Sequence, residues 1–247
     1  MKNVKILLLF IAGFCLLMAC EKEEEELFLE DDMTQEDLKC ARVDHHGHGL
    51  DQDRYVTMRS TGLRVHYRVI GKGPVTIVFI PGWTNPLEIF QKQFDYFRDK
   101  ARCIYIDVPG QGLSDAPEDI QYTMGLMADA IYDVVRKEGV RRFVAVGFSM
   151  GPIPLGQFQL KHPGMISRLV NLDGGFSPWP PEGDETRDDF IAELNAFCDW
   201  IEVWEKPEKE WFASLLLTES SPADLVQFVE YFYEFPSPLM ANIYRNL

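Results

Sequence analysis

The sequence predicts an α/β fold: a doubly wound, mainly parallel sheet that is followed by a helical cap. Continuous apolar runs alternate with stretches of apolar residues at helical spacing from Tyr55 to Leu172. After Asp173 this alternation stops, and only aromatic-rich helical stripes follow. The pentapeptide Gly147-Phe148-Ser149-Met150-Gly151 lies between a predicted strand and a predicted helix. These three observations favour a sheet that carries a site at one strand end, beneath a cap.

Six segments are predicted to be strands. The first two form a hairpin, because Ser60-Thr61-Gly62 between them is a turn sequence. The later ones are continuous apolar runs, which is typical of parallel strands that are buried on both faces. The segments are Tyr55–Met58, Leu63–Val69, Val75–Ile80, Cys103–Val108, Phe143–Phe148 and Ser167–Leu172.

Helices are predicted where apolar residues recur every three or four positions. In the sheet region these are the stripes Leu87/Phe90/Phe94/Phe97 and Met124/Met127/Ile131/Val134, the latter ended by Gly139, and the segment Met150–Lys161. In the cap they are Phe190/Leu194/Phe197/Ile201/Trp204, a helix that starts near Pro207, and Leu225/Phe228/Phe232/Phe235 after the capping sequence Ser221-Pro222-Ala223-Asp224. The stripes alone do not distinguish a cap over a site from a plain helical subdomain.

The first 19 residues are predicted to be a signal peptide. Two lysines in Met1–Lys5 precede the apolar run Ile6–Ala19, which is too short for a membrane-spanning helix and suits an export signal. The run ends in Leu17-Met18-Ala19-Cys20, which resembles a bacterial lipobox, and this resemblance implies that Cys20 is lipidated. An ordinary cleaved signal peptide is the alternative. Either way the protein is expected to cross the inner membrane, and lipidation would anchor it in the cell envelope.

Residues 20–53 are predicted to be an acidic tether between this anchor and the fold. Glu21–Asp37 contains ten acidic residues and one lysine, a density that no packed core tolerates. The segment is similar to the acidic export tags of surface lipoproteins of Bacteroidetes-like bacteria, and a simple solvated spacer is the alternative. The following His45, His46 and His48 offer metal-ligand chemistry, but no spacing fixes a ligand geometry, and no metal site is predicted.

Composition excludes several classes of function. The chain has 247 residues and a net charge of −15, so nucleic acid is not an expected partner, because phosphates would be repelled. Five cysteines without regular spacing exclude a disulfide-stapled scaffold. The sequence does not define an oligomeric state.

The motif around Ser149 has the context that a serine nucleophile requires. A strand that turns sharply into a helix lifts the hydroxyl above the sheet, and Gly147 and Gly151 allow the two backbones to approach. Free N–H groups at the helix start favour negative charge beside the serine. A glycine-rich turn without chemistry is the alternative.

Residues from about Tyr55 to Phe176 resemble the α/β-hydrolase fold family. Besides the serine motif, Pro81-Gly82-Trp83 follows the third strand, and Asp107-Val108-Pro109-Gly110-Gln111-Gly112-Leu113-Ser114 matches the D-x-x-G-x-G-x-S segment after the fourth. Pro81 replaces the family's commoner histidine, which is not the catalytic base. The resemblance implies a core over residues 54–176 and a cap over residues 177–247.

The resemblance also implies residue roles. The backbone N–H groups of Trp83 and Met150 would form the oxyanion hole, and Ser149 would be the nucleophile. Asp173, after the sixth strand, holds a position that some members use for the triad acid, although loop capping is the alternative. Asp107 is expected to stabilise its own glycine-rich loop.

The general base is missing from this assignment. The family places its histidine after an eighth strand, but the chain stops within the predicted cap. His162 is expected to lie roughly 20 Å from Ser149 at the far end of a helix, and His66 about three strands away. Truncation before the last strands is the simplest account, and a short, inactive binding protein is the competing one.

We therefore expect a serine hydrolase that cleaves a carboxylic ester, or a small amide, through an acyl-enzyme on Ser149. Relatives that open epoxides or haloalkanes use aspartate instead of serine. This chemistry requires a small-molecule substrate and neither a metal nor an organic cofactor. The alternative is a catalytically inactive surface-binding lipoprotein, or a hydrolase fragment without its histidine.

Overall fold

The computed structural model describes residues 52–174, 183–216 and 226–247. Several predictions therefore lie outside the described residues: the signal peptide, Cys20, nearly all of the acidic tether with its three histidines, and the helix start at Ser221. The proposed boundary between residues 176 and 177 also lies outside them.

The described core is a six-stranded mixed sheet, as predicted. Its strands are β1 (Gln52–Thr57), β2 (Arg64–Ile70), β3 (Thr76–Ile80), β4 (Arg102–Ile106), β5 (Phe143–Phe148) and β6 (Ile166–Leu172). They lie in the order β1-β2-β4-β3-β5-β6. β2 is antiparallel to both of its neighbours, β1 and β4. The other four strands, β3, β4, β5 and β6, are parallel to one another. The carboxyl ends of these four strands therefore meet at one edge of the sheet, where an α/β fold builds its site.

Helices cover both faces of the sheet. On one face lie a 3₁₀ helix (Leu87–Phe90) and α1 (Gln91–Phe97), and on the other lie α2 (Met124–Lys137) and α3 (Pro152–Lys161). Alternate residues of one strand supply both cores: Phe79 packs with Phe90, whereas Val78 and Ile80 belong to the cluster of α2 and α3. This doubly covered arrangement explains why the predicted strands are continuously apolar.

Local signals define the helix ends. The Thr123 hydroxyl accepts a hydrogen bond from Leu126 N at 3.1 Å and caps the start of α2. Gly139, with φ +69°, follows its end as expected. The helix predicted from Met150 begins two residues later, at Pro152, because Ser149 and its neighbours form the turn itself.

Four helices form the described cap: α4 (Arg187–Glu202), α5 (Lys206–Leu216), α6 (Val226–Glu234) and α7 (Ser237–Arg245). Their buried side chains, such as Cys198 and Phe232, join the same hydrophobic cluster as the α2–α3 face of the core. None of the helices in the described part of the chain combines the length and the apolar character needed to cross a membrane.

β6 is the least covered strand. Within the described sheet it pairs only with β5. Leu169 and Val170, which point to opposite faces, are 40% and 41% exposed. β6 is therefore an apolar edge of the described sheet.

Candidate active site

Ser149 lies where β5 turns into α3. Its φ is +52°, a left-handed backbone conformation that non-glycine residues avoid and that costs about 1–3 kcal/mol. The Ser149 N–H donates to Leu172 O of β6 at 2.9 Å, which ties the strained residue to the neighbouring strand. The residue is partly exposed. This is the strained, accessible turn that the motif predicts.

The two glycines of the motif are required by close backbone contacts. A Cβ on Gly147 would lie 2.5 Å from Pro152 N. A Cβ on Gly151 would collide with Ile80 O and lie 2.9 Å from Phe148 N. Any side chain at either position would therefore push α3 away from the sheet.

The loop after β3, residues 81–86, lies directly against Ser149. A Cβ on Gly82 would be 2.9 Å from Ser149 Cβ and 2.9 Å from Asn85 Oδ1. Thr84 in the same loop has φ +61°, which is a genuine outlier for a β-branched residue. Its N–H donates to the buried Gln111 Oε1 at 2.5 Å. We call residues 81–86 the oxyanion loop, for the role that the sequence predicts for Trp83.

The two predicted oxyanion donors are the backbone N–H groups of Trp83 and Met150. Within the described residues, neither Trp83 N nor Met150 N donates a hydrogen bond. Met150 N follows Ser149 directly, and Trp83 N follows Gly82, which touches Ser149. Unoccupied backbone donors beside a nucleophile are what a developing oxyanion needs. The Met150 side chain is buried in the core and only packs.

The Trp83 side chain points into the cap. Its indole Nε1–H donates to Met240 O of α7 at 3.1 Å, and its ring makes edge contacts with Phe232 and Tyr244. The oxyanion loop is thus fastened to α7. Nothing in the sequence pattern indicates this contact, because Trp83 and Met240 are 157 positions apart.

Asp107 organises its loop and is not part of a triad with Ser149. Its carboxylate accepts hydrogen bonds from Leu113 N at 2.9 Å, from Leu87 N at 2.6 Å and from His66 Nδ1 at 2.7 Å. Gly112 wraps so tightly around this carboxylate that a Cβ there would overlap it. The predicted loop-stabilising role is confirmed by these contacts.

The two histidines of the described residues are not positioned as bases for Ser149. His66 is buried on β2, three strands from β5, and its ring is held by Asp107. His162 follows the far end of α3 and stacks on Tyr132 with ring centroids 3.8 Å apart. Burial, with the nearby Lys161 ammonium, keeps the pKa of His162 below its ordinary value.

Asp173 follows β6, the strand that pairs with β5, and neither histidine of the described residues is placed against it. It directly follows Leu172, the acceptor for Ser149 N, and has φ +53°. Its side chain is exposed, and no hydrogen bond or ion pair is formed by it within the described residues. Its neighbour Asn171 closes the turn instead, through two hydrogen bonds with Gly174. The triad role of Asp173 stays a prediction.

A cleft of about 580 Å³ opens between the glycine-rich loop after β4 and the cap. Gly110 and Gly112 form its core side, and Tyr231 and Leu239 are among the cap residues that line it. Burial, together with the Asp107 and Glu88 carboxylates, raises the pKa of Tyr231 to about 12, so its hydroxyl stays neutral near pH 7. Ser149 is not among the lining residues.

Comparison with known proteins agrees with this architecture. The chain is 31% identical over 169 residues to a 2-hydroxy-6-oxononadienedioate/2-hydroxy-6-oxononatrienedioate hydrolase of Paraburkholderia phymatum, covering 58% of this chain and 57% of that protein. It is 29% identical over 136 residues to epoxide hydrolase 3 of Xenopus tropicalis, covering 54% and 36%. The chain thus spans between about a third and just over half of the length of these relatives.

Solved structures share the fold at low sequence identity. An esterase from Exiguobacterium antarcticum superposes with a TM-score of 0.68 at 21% identity, covering 79% of this chain and 73% of the esterase. An epoxide hydrolase from Vigna radiata gives 0.64 at 21% identity, covering 79% and 71%. The model of the alpha/beta hydrolase fold family matches residues 75–201, just over half of the chain. The strained serine turn and the mixed sheet are therefore those of a family member: this chain belongs to the α/β-hydrolase fold family.

Proposed function

We propose that the protein is a serine hydrolase whose Ser149 attacks the carbonyl carbon of a carboxylic ester, with a small amide as the second substrate class. The observation that carries the proposal is the strained Ser149, φ +52°, followed by a Met150 N–H without an acceptor in the described part of the chain. A residue held in this conformation is stabilised only by its surroundings, and such strain concentrates at functional sites.

The proposed reaction proceeds through an acyl-enzyme in two steps. Ser149 Oγ forms a bond to the carbonyl carbon while a base takes the hydroxyl proton, and the carbonyl oxygen becomes an oxyanion that accepts from Met150 N–H and Trp83 N–H. The bond to the leaving oxygen then breaks, and the proton passes to the departing alkoxide. Water attacks the acyl-enzyme in the same manner and releases the acid and free Ser149.

The nature of the nucleophile favours an ester over an epoxide. Some relatives of this chain are named epoxide hydrolases, and others are named for an oxo-acid substrate. Relatives that open epoxides use an aspartate nucleophile, whereas this chain has serine at the strained turn. A serine oxygen suits acyl transfer, because the acyl-enzyme that it forms is an ester that water can cleave.

The proposal requires a general base from outside the described residues. His66 and His162 are held elsewhere by Asp107 and Tyr132. Within this chain the other histidines are His45, His46 and His48 of the tether. The competing proposal is a binding protein that keeps the fold and has no base.

An active-site-directed fluorophosphonate tests the proposal. We expect the purified protein to be labelled at Ser149, and Ser149→Ala to abolish the label. Ser60→Ala, which removes an exposed serine from the first hairpin, is the matched control and should leave the label intact. A folded protein that takes up no label would favour the binding protein.

We also propose that the protein is exported and is lipid-anchored in the cell envelope through Cys20. The acidic tether, residues 20–53, would then hold the folded domain away from the membrane. The support is the apolar run that ends at Cys20 and the acidic stretch after it. Cys20→Ser should release the protein from the membrane fraction and stop incorporation of labelled palmitate. Continued incorporation in that variant would contradict the lipobox assignment.

A further inference from the structure

We propose that Gln111 is a positioning residue for the oxyanion hole, acting through the hydrogen bond that its side chain accepts from Thr84 N. The inference rests on the proposed function, because it concerns how that reaction's second oxyanion donor, Trp83 N–H, is aimed. Gln111 does not touch the reacting atoms in this proposal. It fixes the loop that carries one of the donors.

Gln111 is buried, and its backbone is hydrogen-bonded on both sides within the loop after β4. The residue is 1% exposed, its N–H donates to Val108 O at 3.0 Å, and its O accepts from Ser114 N at 3.1 Å. Ser114 is itself fixed, since its hydroxyl donates to Asp107 O at 2.6 Å. The loop after β4 therefore presents the Gln111 amide from a fixed backbone.

The orientation of this amide is defined by its partner. Thr84 N–H can only donate, so the atom that faces it must be the amide oxygen. The Nε2 group of Gln111 is buried and has no partner among the described residues. A buried amide that leaves its donor unused is uncommon, and it indicates that the position is used for its acceptor.

The contact acts on the most strained part of the oxyanion loop. Thr84 has φ +61°, and its peptide N–H belongs to the same peptide unit as the Trp83 carbonyl. The Thr84 hydroxyl donates to that carbonyl oxygen, Trp83 O, at 2.6 Å. Gln111 thus fixes the peptide plane that follows Trp83, while Gly82 against Ser149 fixes the side that precedes it. Without the acceptor, Thr84 would relax toward an ordinary conformation and rotate this plane.

A second hydrogen bond fixes the chain directly after the oxyanion loop. Leu87 N–H donates to Asp107 Oδ1 at 2.6 Å, so the 3₁₀ helix after the loop is also tied to the segment after β4. Two hydrogen bonds from one segment, through Gln111 and Asp107, hold both ends of Thr84–Leu87. Of these two side chains, only Gln111 contacts the strained residue itself.

The test compares variants that keep or remove the acceptor. Gln111→Met keeps the length of the side chain and removes the acceptor oxygen. Gln111→Asn keeps an amide oxygen but shortens the side chain by one methylene, so the oxygen no longer reaches Thr84 N. Gln111→Glu keeps an acceptor oxygen at the same distance from the backbone. Gln159→Met, at an exposed glutamine of α3, is the matched control. The measurements are the rate constant and apparent dissociation constant for fluorophosphonate labelling of Ser149, and hydrogen exchange of the Thr84 amide.

We expect Gln111→Met and Gln111→Asn to lower the labelling rate constant at least about tenfold. Complete loss of an oxyanion donor lowers kcat by a factor of about 10²–10³, and misaligning one donor should cost less than that. The apparent dissociation constant should change little, and Thr84 amide exchange should accelerate. Gln111→Glu should keep most of the labelling rate, and Gln159→Met all of it. This separation of rate from binding is not expected if Gln111 only stabilises the fold.

The outcomes separate this inference from the proposed function. If the wild-type protein is labelled and both Gln111→Met and Gln111→Asn label at its rate while folded, the inference is overturned. If the wild type itself is not labelled, the proposed function fails. In that case the hydrogen exchange rate of the Thr84 amide still decides whether Gln111 holds the oxyanion loop. Unchanged exchange in Gln111→Met and Gln111→Asn would show that it does not, and would overturn the inference as well.

Discussion

At the residue scale, the two described histidines occupy opposite electrostatic environments. Burial alone would lower the pKa of His66, but Asp107 at 2.7 Å and Asp53 at 3.2 Å outweigh it and raise that pKa above its ordinary value. Asp53 is in turn bound by Arg68. For His162, burial prevails, and its pKa is lowered. The two rings should therefore give opposite dependences of stability on pH.

We expect His66 to stabilise the fold at low pH and to lose this contribution as pH rises. A raised folded-state pKa means that the folded protein holds the proton more tightly than the unfolded chain does. The stabilisation is therefore complete below about pH 6.5, the ordinary pKa of histidine, and is lost as pH rises through the higher pKa of the folded state. In His66→Gln, the decline of the melting temperature between pH 6.5 and pH 8.5 should be shallower than in the wild type. His162→Gln is the control. Because the pKa of His162 is lowered in the folded protein, its contribution to stability is lost as pH falls, so this variant should change the melting temperature below pH 6.5 and not above it. Parallel wild-type and His66→Gln profiles would refute the prediction.

How much of the site was predictable depends on sequence separation. The serine turn is defined by five consecutive residues, and the structure places them as expected, with Ser149 at φ +52°. The groups that hold the oxyanion loop come from distant positions: the Gln111 side chain at a separation of 27 and the Met240 backbone carbonyl at 157. No periodicity connects such residues, because their contact exists only after the sheet order and the cap are formed.

At the scale of elements, the ends of the predicted strands agree with the observed ones to within three residues, and Phe143–Phe148 agrees at both ends. Continuous apolar runs reflect burial on both faces of the sheet, which is why they locate these strands. The helix α7 has no counterpart among the predicted elements. It is nine residues long and starts at Ser237 before Pro238, so its apolar stripe is too short to stand out. Its importance comes from tertiary contacts, because it packs against α4 and accepts the indole bond of Trp83.

We expect the Trp83 bond to α7 to stabilise the protein measurably. Trp83→Phe keeps an aromatic ring and removes the donor to Met240 O, so urea unfolding should show a loss of about 0.5–1.5 kcal/mol for the hydrogen bond, with a further loss from the smaller ring. Trp211→Phe, at a residue of α5 that is 43% exposed, is the matched control and should cost less. Equal losses in the two variants would show that the indole bond contributes nothing.

At the scale of the whole molecule, the sheet is unevenly protected. β3 and β4 lie inside it with fully buried residues on both faces, whereas β6 shows apolar side chains on both faces and forms a ladder only with β5 in the described sheet. An apolar edge with unpaired backbone groups is a template for association. The net charge of −15 opposes association, but most of it lies in the acidic stretch Glu21–Asp37, and salt screens the repulsion.

We expect self-association through β6 that grows with salt. Light scattering at raised ionic strength should show larger species for the wild type than for Leu169→Lys/Val170→Lys, which places one charge on each face of the strand. Leu113→Lys/Val203→Lys is the matched control, because these residues are 58% and 72% exposed but lie outside the sheet. Similar suppression in both double variants would assign the effect to charge in general and not to the edge.

The indole bond of Trp83 has a consequence for substrate entry. Because the Trp83 indole donates to Met240 O, a displacement of α7 would either break this hydrogen bond or move the oxyanion loop together with the helix. In the proposed reaction, either change would misalign the Trp83 amide that accepts the negative charge of the oxyanion. If substrate reaches Ser149 past α7, we therefore expect binding and reaction to occur in succession, with the reactive arrangement restored once α7 has returned.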